Sequence, residues 1–380
     1  MDFSWSAEQH KLRQQLIDFV DSNLDDDVTR LDANLEFASS NWRKLADYGV
    51  LGFALPDQYG GSGFDMLTTT YLLEALGYAC KDTGLNFALS SQMLSIQPAI
   101  AEFGSEAIRN TFLPRLVSGE CGAFAISEEN SGSDTYSLEA TATKVDGGYL
   151  LNGLKKFVTL APVCEIAVIF ANTNPQRGQW GVTGFVVERG QKGFSTTATQ
   201  PKMGLRTTPI GDIALEDCFV PESNRLGEEG SGVAIFSTAM ESERSYILAC
   251  QIGAMHRQLE TEIKHARTRR QFKQPIGKFQ SVAHRIADMK LRLETARLLL
   301  YRVAWSESQR MPLAMDAALA NLHMSESYVE SSMSAVRNHG ARGYLSEYEV
   351  ERDLRDSIGG LIYSGTSDIQ RNIIARLLGL

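Results

Sequence analysis

The 380-residue chain is predicted to be an α+β protein in which helices come first, a β region follows and helices return. Three observations predict this. Residues 1–120 read as helices separated by turns, the clearest turn being Pro56-Asp57-Gln58-Tyr59-Gly60-Gly61-Ser62-Gly63. Across residues 121–230, short apolar stretches lie between Gly, Asn and Pro clusters, the spacing of antiparallel strands. They are Tyr149-Leu150-Leu151, Ile166-Ala167-Val168-Ile169-Phe170 and Val182-Thr183-Gly184-Phe185-Val186-Val187. Across residues 231–380 the pattern is helical again. There Val282, Ile286, Met289, Leu293, Ala296, Leu300 and Val303 alternate spacings of four and three, the apolar repeat of a long helix packed against others. Before it, Val233, Phe236, Met240, Ile247, Ile252, Met255, Leu259 and Ile263 follow a looser helical spacing. No βαβ alternation and no GxGxxG after a strand is present, which disfavours a Rossmann domain.

Composition narrows the function classes. With 43% hydrophobic and 22% charged residues, the chain has an ordinary globular balance and enough length for a large core. A formal net charge of −9 argues against non-specific nucleic-acid binding, which needs a basic footprint. Cys80, Cys121, Cys164, Cys218 and Cys250 are scattered without a CxxC, so neither a disulfide framework nor a zinc site is expected, and a cytoplasmic setting fits. The six histidines show no metal-ligand spacing, so no metal site is expected. Neither a secretory leader nor an apolar run long enough to cross a membrane is read in the sequence.

Several residues are candidates for chemistry. Glu243 lies three residues after Met240 and four before Ile247, on the apolar stripe of its helix. A carboxylate there is desolvated, which raises its pKa and makes it a stronger proton acceptor. Arg244 follows directly, and from pattern alone a structural ion pair is the plainer reading of the two. Ser127 through Asp134 form a polar loop whose backbone N–H groups and hydroxyls suit a cofactor or phosphate, or a plain surface turn. Ser367-Asp368-Ile369-Gln370 reads as a capping box, with Tyr363-Ser364-Gly365-Thr366 leading into the helix N-terminus. Arg269, Arg270, Gln271 and Phe272 are placed at the end of the Glu243 helix, where basic residues offset the macrodipole.

Together these segments resemble the acyl-CoA dehydrogenase superfamily along essentially the whole chain. The resemblance is carried by Met1-Asp2-Phe3 with Glu8-Gln9, by Pro56 to Gly63, by Ser127-Glu128 through Gly132-Ser133-Asp134, by Lys156-Phe157-Val158-Thr159, by Arg269-Arg270-Gln271-Phe272 and by Tyr363 to Arg371. It implies an N-terminal helical domain, a middle antiparallel β-barrel or sandwich and a C-terminal four-helix bundle, assembled as a homotetramer or homodimer with FAD between the last two domains. Phe124, Ile126, Ser127, Phe157 and Thr159 would line the flavin, with Gly132 and Ser133 in the cofactor loop. Thr366 and Asp368 would lie on the ring or phosphate side. Arg269 and Phe272 would reach the FAD of a partner subunit, and Gln280 and Arg337 would also bind cofactor. Ser133, Arg244, Tyr363 and Ser364 would contact substrate.

The departures from the family pattern matter. Many members carry the catalytic glutamate directly after the tyrosine of the last motif, where this chain has Ser364. A minority carry it on the earlier helix directly before an arginine, the place of Glu243-Arg244, so Glu243 is the expected base. Lys273, Arg337 and Ala341 replace the usual glycine, glutamine and glycine at the adenosine end of FAD. A narrower similarity, in Phe279 to Val282, Leu293 to Tyr301 and Ile373 to Leu380, points to dehydrogenases acting on acyl or aminoacyl groups, prolyl included, tethered to a carrier protein. The implied reaction is thioester α,β-dehydrogenation, in which Glu243 takes the α-proton and flavin the hydride. Electrons would pass to an electron-transfer flavoprotein or to oxygen. On this reading Ser364→Ala is nearly neutral. The competing readings are a CoA-thioester dehydrogenase of catabolism, a flavin oxidase on a carrier-bound hydroxyacyl group and a catalytically retired relative.

Overall fold

A computed structural model describes residues 4–25 and 27–380. The opening Met1-Asp2-Phe3 lies outside them. The first helix, α1 (Ala7–Asn23), begins on a capping box in which Ser6 Oγ accepts the Gln9 N–H at 3.1 Å and Gln9 Oε1 accepts the Ser6 N–H at 2.9 Å. Next come α2 (Val28–Asn34), α3 (Ser39–Tyr48) and α4 (Met66–Ala79). Then α5 (Thr83–Ser91) runs through a π turn at Gln92–Ile96 into α6 (Gln97–Phe103), and α7 (Glu106–Val117) completes the part.

The β region holds β1 (Gly122–Ala125), β2 (Thr141–Val145), β3 (Gly148–Thr159), β4 (Ile166–Asn172), β5 (Val182–Glu188), β6 (Phe194–Thr196), β7 (Ile210–Pro221) and β8 (Arg225–Leu226). They form an eight-stranded sheet in the order β6-β7-β3-β2-β4-β5-β8, with β1 beside β4. The pairing is not purely antiparallel. β1 runs parallel to β4, with Gly122 opposite Ile166, and β2 meets β4 parallel at Thr141 and Asn172. The stretch 126–165 supplies the long crossover that parallel pairing requires. Alternation places Ala123, Ala125, Ala167, Ile169 and Phe185 in one inner core, and Val168, Phe170, Val182 and Val186 in another that meets α6, α7 and the next helix.

The helical return comprises α8 (Gly232–Tyr246), α9 (Ala249–Thr268), the short hairpin β9 (Arg270–Gln271) and β10 (Gln274–Pro275), α10 (Gln280–Ser308) and α11 (Ala314–His339). α12 (Val350–Gly359) and α13 (Ser367–Leu377) pack on α11. α8 and α9 each pack on α10 and α11, α4 covers α9, and the repeat on α10 faces inward from Met289 through Val303. Arg269 therefore does not end the Glu243 helix, because the chain breaks at Ile247-Leu248. No glycine or proline marks that break. Leu248 lies at ψ 6°, and both side chains are fully buried, so packing decides it.

The main core joins α1, α3 and α4 to α9, α10 and α11. At the α4–α9 crossing the backbones nearly touch: a Cβ on Gly77 would overlap the Cys250 carbonyl, and one on Gly253 the Glu74 carbonyl. Gly77→Ala is accordingly expected to destabilise the protein by about 1–3 kcal/mol or more. Gly190→Ala, where a Cβ meets open space, should change it by less than about 0.5 kcal/mol. Thermal midpoints of the two variants check this. All five cysteines are buried and free. Among the described residues no helix is long and apolar enough to cross a membrane, and no cluster of three or more His, Cys, Asp or Glu side chains is arranged to hold a metal.

Candidate active site

On α8 the buried stripe is Ile235, Ala239, Glu243 and Tyr246, while Val233, Phe236 and Met240 flank it half-buried. Glu243 thus replaces an apolar residue in an apolar row. It is 9% exposed, and burial pushes its carboxyl up to about 7, against the opposing pulls of the Ser364 hydroxyl and the Arg244 guanidinium. A base poised near neutrality matches what proton abstraction requires. Ser364 Oγ donates to Glu243 Oε1 at 2.5 Å.

The structure brings Arg244, Tyr363 and Ser364 to the same place as Glu243. Arg244 lies on the next position of α8, with a guanidinium nitrogen 3.9 Å from where a Gly365 Cβ would stand. Burial lowers its pKa, and its Nε is enclosed without a hydrogen-bond partner. The Tyr363 ring packs 4.4 Å from Phe87 between centroids, and burial beside Glu243 raises its phenol pKa. Gln251, which the sequence did not single out, joins this group to the helix break. Its amide nitrogen donates to the Ile247 and Leu248 carbonyls at 3.1 and 3.3 Å, and its oxygen accepts the Tyr363 hydroxyl at 2.9 Å. The Ile247 carbonyl at the break is satisfied in this way, while the Leu248 carbonyl also accepts the Ile252 N–H at 3.3 Å.

The N-cap of α13 is Thr366, not Ser367. The left-handed turn at Ser364 (φ 59°) and Gly365 (φ 90°) ends there, and extended Thr366 accepts the Ile369 N–H on Oγ1 at 3.2 Å, so Ser367 is already helical. Asp368 is exposed and meets Arg371 at 3.3 Å.

The flavin-lining residues that the resemblance implies lie in the β region. Phe124 on β1 lies 5.1 Å from Phe170 and 6.4 Å from Phe236, ring to ring, so it packs between sheet and α8. Tyr136 meets the other side of Phe236 at 5.9 Å. Phe236 precedes Glu243 by two turns on α8, roughly 10 Å along the axis. Glu243 therefore lies on the same helix that β1 and the 127–137 loop contact through Phe236. Ile126 is buried, and the Ser127 carbonyl accepts the Lys156 N–H at 2.9 Å. Gly132 and Ser133 are exposed on the loop, and a Cβ at Gly132 would meet nothing within 4 Å.

Phe157 sits on a bulge of β3, where the register against β7 shifts between Lys155 and Val158, and its φ is 58°. Its ring is 57% exposed. Asp212 pins the bulge, accepting the Phe157 N–H at 3.3 Å and Lys156 Nζ at 2.7 Å. Thr159, half-buried, ends the strand opposite Ile210. An aromatic ring held outward at a strained turn fits a planar ligand, since left-handed backbone in a bulky residue persists only where its surroundings impose it. That ring, the open space at Gly132 and the enclosed, unpartnered Arg244 Nε and Ser367 Oγ together fit the isoalloxazine and polar chain of FAD.

Arg269, Phe272 and Gln280 are not brought to Glu243. The twenty residues of α9 put roughly 30 Å between the break and Arg269. Arg269 and Gln280 are exposed, and so is Phe272, at 87% and φ 48°. Arg337 is exposed in the last turn of α11.

Comparison with known proteins agrees with this fold. Family models for the acyl-CoA dehydrogenase N-terminal, middle and C-terminal domains match residues 6–120, 123–218 and 230–379. An L-prolyl-[peptidyl-carrier protein] dehydrogenase of Pseudomonas fluorescens is 45% identical over 346 residues, 90% of this chain and 91% of that protein. The crystal structure of the prolyl acyl carrier protein oxidase AnaB superposes with a TM-score of 0.98 at 42% identity, covering 99% of this chain and all of that one. The structure of PigA with FAD and proline gives 0.97 at 38% identity, covering the whole of both chains. The chain belongs to the acyl-CoA dehydrogenase family.

Proposed function

We propose that the protein is an FAD-dependent dehydrogenase that desaturates the α,β bond of an aminoacyl thioester, prolyl foremost, tethered to a carrier protein. The observation that carries the reading is Glu243: a carboxylate buried in the apolar row of α8 and held near neutrality. The two proteins named for prolyl carrier-protein chemistry, and PigA with FAD and proline, supply the substrate class by similarity over nearly the full chain.

Bound FAD supplies the hydride acceptor. The chain's own residues do the rest. Glu243 takes the proton α to the thioester carbonyl, and its position decides the reaction, since base and hydride acceptor must lie on opposite sides of the substrate. Apolar packing around α8 desolvates the carboxylate, which makes it the stronger proton acceptor. Arg244, with an enclosed Nε free of partners, offsets negative charge as it develops nearby. Arg269, Phe272, Gln280 and Arg337, remote from Glu243 along their own subunit, serve the cofactor of a second subunit in a homo-oligomer. Ser127, Gly132, Ser133, Phe157, Thr159 and Thr366 hold the cofactor within the subunit.

An absorbance spectrum of the purified protein, followed anaerobically during addition of carrier-bound and CoA thioesters, tests the reading. Bleaching of the flavin band by the prolyl carrier protein is the expected result. Bleaching by CoA thioesters alone would replace it with a catabolic dehydrogenase, and a protein that takes up no FAD would end it. AnaB is named an oxidase and the Pseudomonas relative a dehydrogenase. Hydrogen peroxide release on re-admitting air separates oxygen from an electron-transfer flavoprotein as acceptor.

A further inference from the structure

Ser364 donates to Glu243 Oε1, the one side-chain hydrogen bond that this carboxylate receives among the described residues. Oε2 receives none and is not among the enclosed polar atoms, which leaves it as the oxygen free to accept a proton. The donor is not placed there by chance of rotamer. Ser364 lies at φ 59°, a conformation that a residue with a Cβ adopts only when its surroundings impose it. Gln370, wholly buried on the first turn of α13, imposes it: its Nε2 donates to the Ser364 and Gly365 carbonyls at 3.2 and 2.9 Å. Thr366 fixes the far end of the turn by capping α13. The turn is thus clipped from behind, and the serine hydroxyl is aimed forward at a carboxylate 121 residues earlier in the chain.

We propose that Ser364 is a positioning residue for the base: its hydroxyl, held on a turn clipped by Gln370, fixes the orientation of the Glu243 carboxylate and favours its ionised form. This rests on Glu243 being the base. The physical reason is that a donor to the charged form of a buried acid stabilises that form, in a place where desolvation works against it. The other groups that act on this carboxylate are few. On its own helix stands Arg244, and from the 363–366 loop comes the neutral phenol of Tyr363. Residues 83–96, which pack against α8 from α5 and the π turn, contain no titratable side chain. From α11, Asn321 donates to the Arg244 carbonyl at 3.2 Å, and Asp316 is taken up by Arg302 at 2.9 Å and Ser306 at 2.9 Å. Ser364 is therefore the neutral donor best placed to hold the base charged. This reverses the expectation, drawn from sequence, that Ser364→Ala is nearly neutral.

The test is the pH profile of substrate-dependent flavin reduction in single turnover, measured for the holoenzyme, Ser364→Ala and Gln370→Met. Removing a hydrogen bond to a charged group should move the acid limb of Ser364→Ala upward by about one pH unit. The rate should then fall about tenfold at pH values below the wild-type limb and far less on the alkaline plateau. Gln370→Met should move the limb in the same direction by less, and the double variant no further than Ser364→Ala, because Gln370 acts through the serine. A second readout needs no turnover: the infrared carbonyl band of protonated Glu243, identified by its loss in Glu243→Gln, should titrate at higher pH in Ser364→Ala. An acid limb and a band that stay where they are, or a loss equal at every pH, would overturn the proposal. Glu243→Gln separates this from the underlying reading. If that variant still reduces flavin at the wild-type rate, Glu243 is not the base and both fall. If it is inactive while the Ser364→Ala limb is unmoved, only the role of Ser364 falls.

Discussion

Glu243→Gln is expected to keep FAD bound and to lose substrate-dependent flavin reduction by about 10²–10⁴-fold, the usual contribution of a positioned base. Glutamine has nearly the same shape and can still accept the Ser364 hydroxyl, so the packing of α8 should survive. What it cannot do is take a proton from carbon. Stopped-flow reduction with the tethered thioester measures the loss, and an undiminished rate would reject Glu243. The same substitution has a stability signature of opposite sign. The Glu243 carboxyl is raised to about 7 in the folded protein, well above its ordinary range. The folded state therefore holds a proton that the unfolded state has released, and stability declines as pH rises through this window. The charge that catalysis needs costs about 3 kcal/mol above pH 7, judged from the size of the shift. Glu243→Gln should accordingly be more stable than the wild type at pH 8, with the difference vanishing below about pH 4. Thermal midpoints across pH check it.

Lys155→Met is expected to be the most damaging substitution in the β region. Lys155 is fully buried and Glu128 is 5% exposed, with Nζ and Oε1 2.6 Å apart. Burial pushes the Lys155 ammonium down to about 8 in spite of its partner. Lys155 also donates to the Ile126 carbonyl at 3.2 Å, and Glu128 accepts the Glu139 and Ala140 N–H groups at 2.6 and 3.1 Å. The pair thus ties both ends of the 127–137 loop to β3. Removing the cation alone strands a buried carboxylate, at a cost of about 3–5 kcal/mol. Replacing both, Glu128→Gln with Lys155→Met, should recover much of that, because no buried charge is left unpaired. Chemical denaturation gives the stability, and FAD retained through gel filtration reports the loop. A Lys155→Met protein as stable as the wild type would show that the pair carries little.

The failures of the sequence reading have definite physical origins. The capping pattern put the N-cap at Ser367, and the left-handed turn at Ser364-Gly365 moves it to Thr366. The break at Ile247-Leu248 carries no glycine or proline. It is stabilised by Gln251 and Tyr363, which a local reading does not bring together. Glu243 lay on the expected helix, but the buried stripe runs through Ile235 and Ala239 and not through Val233, Phe236 and Met240, because α8 is contacted on several sides at once.

By itself the sequence determined the order helices, sheet, helices, since apolar periodicity and turn residues are local properties. It also determined the inward stripe of α10 and the presence of a carboxylate in an apolar helical row. Tertiary structure alone decided that β1 and β2 lie parallel to β4, that Lys155 meets Glu128 in the core, and that Ser364 points at Glu243. Each of these joins residues far apart in the chain. A hydrogen bond or charge pair of this kind depends on where two backbones meet, which no local pattern encodes.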